Sequence, residues 1–122
     1  MNSPADQNMR RIDDLLTHVW VVRTMLKHSE EAEEDPQLFE IQRSLYDYMH
    51  ALGSAWQAND AEAYLRQAAR KFHRLRKAAD RFSQLQPEIS THTNFAMARR
   101  SLNVAVDEIG NLLDQDSASG PR

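Results

Sequence analysis

"AEAYLRQAARKFHRLRKAADRF", residues 61–82, decides the fold class of this chain. Ala61, Tyr64, Ala68, Phe72, Leu75, Ala79 and Phe82 recur at intervals of three or four, which gathers them on one face of an α-helix. A strand would alternate faces instead. Ala68 and Ala79 are small enough to let a neighbouring helix approach closely, so this face reads as a packing face. The pattern predicts a helix over residues 60–83, with Asn59 or Asp60 as its N-cap.

The same period continues on both sides. Met9, Ile12, Leu15, Leu16, Val19, Val22 and Leu26 predict a first helix over residues 5–28. "SEEAEED", residues 29–35, has no apolar period and carries five acidic groups, so it reads as a connection. Asp35 followed by Pro36 is the pattern of a cap with proline at the first helical position, and opens a second helix over residues 36–52. Its inward residues are Leu38, Ile41, Leu45, Tyr48, Met49 and Leu52, with Gly53 and Ser54 as its end and Trp56 extending the packing beyond it. "SQLQPEISTHT", residues 83–93, holds Pro87 and several capping residues and reads as the next connection. A fourth helix over residues 94–114 follows from Phe95, Ala98, Leu102, Ala105, Ile109 and Leu112, and residues 115–122 read as a disordered tail.

The chain has 122 residues, enough for one domain with its own core, and only three Gly and four Pro to interrupt long helices. Four amphipathic segments on short links predict an all-α, single-domain antiparallel (up-down-up-down) four-helix bundle over residues 1–114. A three-helix core whose first helix reaches to a partner is the competing arrangement. Val21, Met25, Phe39 and Tyr46 fall off the main stripes of the first two helices and serve either as extra core or as a homodimer patch, with extra core the favoured reading. There is no run of about 18 apolar residues and no apolar segment near the N-terminus, which predicts a cytoplasmic protein with no membrane partner. Zero cysteines exclude disulfides, thiolate metal ligands and a cysteine nucleophile.

Chemistry-bearing patterns are few. Asp47 and His50 have the spacing of a carboxylate and an imidazole one helical turn apart, and Asp14 and His18 also share a face, but both pairs project away from the core stripes. A dinuclear site needs two such pairs and two more carboxylates aimed inward, so neither metal nor cofactor is expected. Arg43 and His50, separated by six residues, resemble the active-site motif of HEPN-type RNases, themselves small helical bundles. That resemblance covers two residues and implies an Arg that stabilises a phosphorane and a His that acts as general acid or base. Ser44 stands where those families commonly place Asn, Asp or His, and the pair sits on the second helix rather than late in the bundle. The simpler reading is an exposed i,i+4 pair of Arg43 with Asp47, and it is preferred. No glycine-rich phosphate loop, nucleophile elbow or zincin helix occurs, so the chain is read as non-enzymatic.

Charge is segregated. Residues 60–84 carry seven basic and three acidic groups, a formal +4 in a chain of net charge -3. At 100° per residue Arg66, Arg70, Arg74, Lys77 and Arg81 fall in a sector about 80° wide, nearly opposite the apolar face, with Glu62 and Asp80 flanking it. Five cations stacked at helical spacing repel one another, so some compensation is expected, and three readings compete: a solvated face whose long stems cover apolar edges with no specific ligand, a protein-binding strip, and a nucleic-acid-binding strip. The function predicted is an interaction or adaptor protein that binds an acidic protein surface, or a second copy of itself, through this strip. The acidic "EEAEED" segment is the candidate for neutralising part of it, within the monomer or across a dimer. Nucleic-acid binding along the same strip is the alternative, weakened by an acidic pI of about 5.9 and by the commitment of Phe72 and Phe82 to the core.

Overall fold

A computed structural model describes residues 3–118, which form six helical segments and no strand. They are α1 (Pro4–Lys27), α2 (Glu30–Glu34), α3 (Pro36–Ala51), α4 (Gly53–Gln57), α5 (Ala61–Ile89) and α6 (Thr93–Ala118). Each start has a local chemical cause. Ser3 and Asp6 close a capping box on α1, the Ser29 hydroxyl accepts from the Ala32 N–H, the Asp35 carboxylate from the Gln37 N–H ahead of Pro36, and the Asp60 carboxylate from the Ala63 N–H. Asn59 turns the chain between α4 and α5 with a φ of 53°, a left-handed conformation that Asn tolerates better than most residues.

Four helices carry the packing. α1 lies against α3 and α6, and α5 lies against α3 and α6, with a lesser contact between α1 and α5. One continuous cluster of buried side chains fills the space between them, with Ile12, Val19, Leu38, Leu45, Tyr64, Leu75, Phe82, Leu102 and Ile109 almost fully excluded from solvent. Polar contacts fix the pairings at the edges. Arg11 on α1 grips Glu108 on α6 through two hydrogen bonds of 2.9 and 3.1 Å, and His18 lies 3.1 Å from Ser101. Arg76 on α5 reaches Asp107 at 2.7 Å, and Asn103 on α6 donates to Ser83 at 2.8 Å.

Several expectations change. Residues 29–35 are not a plain connection, because the Ser29 cap and the burial of Ala32 allow a short helix among the acidic residues. Gly53 and Ser54 begin α4 rather than simply closing the second helix. The third long helix does not stop at residue 83 but continues through Pro87 to Ile89. Proline there removes one N–H near the helix end, while Leu85, Gln86 and Ile89 are covered by the bundle and the Gln86 side chain donates to the Ser90 carbonyl at 2.8 Å. The packing holds the last turn in place. The fourth long helix runs to Ala118, so residues 115–118 of the expected tail are helical, while residues 119–122 lie outside the described range. Leu113 is buried where Leu112 was expected, with Leu112 partly covered beside it.

The four off-stripe residues divide. Met25 packs against the core and Tyr46 is half-buried, whereas Val21 is 65% exposed and Phe39 53%. The reading of all four as core therefore fails for Val21 and Phe39. Among the described residues no helix is long and apolar enough to cross a membrane.

Candidate functional site

α5 packs on α3, with Ala68 accepting a hydrogen bond from Tyr48 and Ala78 lying on the floor between the two helices, which leaves its cations on the outer rim of the contact. Arg66, Arg70, Arg74, Lys77 and Arg81 are all exposed. Two grooves divide them. Arg74, Lys77 and Arg81, joined by Lys71, form one wall of a groove of about 440 Å³ between α5 and α3, whose other wall carries Glu40, Ser44 and Asp47 and whose floor is Ile41, Tyr48 and Ala78. Arg66 and Arg70 instead border a second groove of about 360 Å³ facing the end of α3 and α4. The strip read from the sequence is thus one face of the helix serving two neighbouring hollows.

Among the described residues none of the five cations makes an ion pair, and Arg81 donates a hydrogen bond to the neutral Gln37 side chain. Asp80, which flanks the sector, lies 3.9 Å from Arg76 on the other side of the helix. Arg76 is also the group that pairs with Asp107 on α6, so this α5 cation is already matched. The acidic α2 packs on α1 and α3, and no ion pair joins it to α5 among the described residues. Among the described residues, residues 29–35 make no ion pair with the strip within one chain, so the intrachain form of that expectation fails. Glu40 and Asp47 sit across the groove and moderate its positive charge without closing it.

Lys71 is the member that sequence reasoning missed. Helical projection sets it about 60° beyond Arg74, toward the packed side. A long aliphatic stem lets a lysine start near an apolar contact and deliver its ammonium group to the rim.

The other sequence candidates are placed as follows. Arg43 Nε lies 3.3 Å from Asp47 Oδ1, both side chains more than half exposed, so the i,i+4 pair is present. His50 stacks on Tyr46 with ring centroids 5.7 Å apart. Asp47 borders the basic groove, while neither Arg43 nor His50 does. Asp14, His18, Asp47 and His50 are exposed, and among the described residues no three His, Asp or Glu side chains cluster closely enough to hold a metal ion.

On the far side of α3, Arg23 of α1 lies 5.0 Å from the centroid of the Trp20 ring and 4.7 Å from that of Tyr46, a cation between two aromatic rings. Periodicity within one helix does not reveal this contact, because its members come from two helices. No family model, curated protein or solved structure matches this chain. Fold and site together define an all-helical, bundle-like protein with a cationic face.

Proposed function

We propose that the chain is a non-enzymatic, cytoplasmic interaction module that holds an acidic polypeptide segment along the α3–α5 groove, with Lys71, Arg74, Lys77 and Arg81 meeting its carboxylates. The observation that carries this reading is a row of exposed cations with no ion pair among the described residues, in a chain whose overall charge is negative. Arginine suits the task, since its planar guanidinium pairs with carboxylates through two parallel hydrogen bonds. Arg66 and Arg70 extend the contact toward α4.

The scaffold in this reading is an up-down-up-down four-helix bundle. Its support is the register of contacts: Arg11 meets Glu108 while His18 meets Ser101, Arg76 meets Asp107 while Ser83 meets Asn103, and Tyr48 meets Ala68 while Gln37 meets Arg81. In each pair the numbers run in opposite directions. Such a frame holds the cations on a rigid helix, which lowers the ordering cost of binding.

A second copy of the chain offers a segment of the required chemistry in its own α2, where Glu30, Glu31, Glu33 and Glu34 follow one another, with the exposed Phe39 nearby. Nucleic acid fits less well, because the one aromatic among the described residues lining the groove is the buried Tyr48, which leaves no exposed ring there for base stacking.

The test is a titration of the purified chain with a glutamate-rich peptide, a glutamine-rich peptide of equal length and a DNA duplex, alongside light scattering. Saturable binding of the glutamate peptide alone supports the reading. Equal binding of the glutamine peptide overturns it, and tighter binding of DNA with a salt slope near -4.5, about five released counterions, replaces it with the nucleic-acid reading. A dimer that dissociates when the α2 glutamates are changed to glutamine makes the second copy the partner.

A further inference from the structure

Both tryptophans of the chain line a single groove of about 220 Å³ between α1, the α3–α4 junction and α5. Trp20 comes from α1 and Trp56 from α4, and they remain 48% and 38% exposed although a monomer gains by covering such large apolar rings. Leu16 and Met49 add apolar wall, and the Tyr64 ring lies 6.2 Å from that of Trp56. Asp13 is the one charged side chain among the described residues lining the groove. It is half-buried, makes no ion pair among the described residues, and accepts one long hydrogen bond of 3.5 Å from the Tyr64 hydroxyl. Gly53 also lines the groove, and a Cβ placed on it meets nothing within 4 Å.

We propose that this groove binds a small alkylammonium cation, whose carbon groups pack on Trp20 and Trp56 while the Asp13 carboxylate balances its charge. The chemistry of the lining selects that class. Indole rings attract cations more strongly than other aromatic side chains do, and the Trp20 ring already takes the Arg23 guanidinium, from the Tyr46 side. An anion would meet Asp13 unfavourably, and a neutral apolar molecule would leave that half-buried carboxylate without a counter-charge. The volume suits a cation with a few carbon atoms rather than a drug-sized ligand. None of these residues belongs to the α3–α5 groove, so this inference stands or falls apart from the acidic-partner reading.

Because the two tryptophans are the only ones in the chain, intrinsic fluorescence reports on this groove directly. The full chain is titrated with choline chloride and, separately, with its neutral isostere 3,3-dimethyl-1-butanol. Choline is expected to change the emission saturably and to bind about tenfold or more tightly than the alcohol, the factor one cation–aromatic contact plus a carboxylate provides. Asp13→Asn and Gly53→Leu, each checked for unchanged helicity by circular dichroism, should both weaken choline binding about tenfold, the first by removing the counter-charge and the second by filling the groove. A flat or non-saturable titration overturns the proposal, as does equal affinity for the two ligands. Wild-type affinity retained in both variants overturns it as well.

Discussion

The Tyr48 hydroxyl donates a 2.9 Å hydrogen bond to the backbone carbonyl of Ala68, tying the middle of α3 to the helix that carries the basic face. Both residues are buried, and Tyr48 forms part of the groove floor. Tyr48→Phe removes one donor and no packing volume, so it should cost about 1 kcal/mol in urea unfolding and leave the fold intact. Leu45→Ala, at a fully buried neighbour on the same helix, should cost about 2–5 kcal/mol because a cavity remains. A larger loss for Tyr48→Phe than for Leu45→Ala would contradict this ordering.

Asp13 and Asp6 give opposite pH dependences. Burial holds the Asp13 carboxyl above its ordinary 3.8, opposed by the hydrogen bond from Tyr64 and reinforced by the charge of Asp14. A raised carboxylate favours the folded state in its protonated form, so this group's relative contribution is best below pH 3.8 and declines as pH rises through the raised value. At pH 7 Asp13→Asn should therefore melt at or above the wild-type temperature, with the difference vanishing in acid. Asp6 is held low by the Ser3 backbone N–H first and the Ser3 hydroxyl second, so its contribution is present above pH 3.8 and lost as pH falls through its lowered value. Thermal melts from pH 3 to 7 separate the two, and a lower melting point for Asp13→Asn at pH 7 would contradict the assignment.

Two glycines should respond oppositely to the same substitution. Gly53 has open space at its Cβ position and no positive φ, so Gly53→Ala should stabilise by about 0.5–1 kcal/mol through helix propensity. At Gly110 the Cβ would fall 2.9 Å from the Cζ of Phe72, so Gly110→Ala must displace that ring where α5 crosses α6. Gly110→Ala should destabilise the wild type and stabilise a Phe72→Ala background, a non-additivity that a double-mutant cycle measures directly. Additive effects would show that the ring moves away without cost.

The core was legible from period alone: every residue of the α1 stripe from Met9 to Leu26 is buried, and so are Ala61, Tyr64, Ala68, Leu75, Ala79 and Phe82 of α5. What period cannot convey is context. Pro87 reads as a break because local chemistry opposes helix there, yet the cover over Leu85 and Ile89 outweighs one missing donor. Val21 and Phe39 are apolar but face outward, and no spacing rule distinguishes them from Met25. The five cations were placed on one exposed face by projection, whereas Lys71 needed the position of α3 and the Trp20–Trp56 groove needed three segments brought together in space.

The account rests on the charge of the α3–α5 groove, and a paired titration tests it most directly. Wild type and the Arg74→Glu, Lys77→Glu, Arg81→Glu triple variant are titrated with the same glutamate-rich peptide at low and at physiological salt. These three side chains are exposed and make no ion pair among the described residues, so each reversal should change stability by no more than about 0.5 kcal/mol. The account predicts unchanged helicity and an affinity at least about 100-fold weaker in the variant, as expected when three attractions become repulsions. Equal affinity in a folded variant would contradict it.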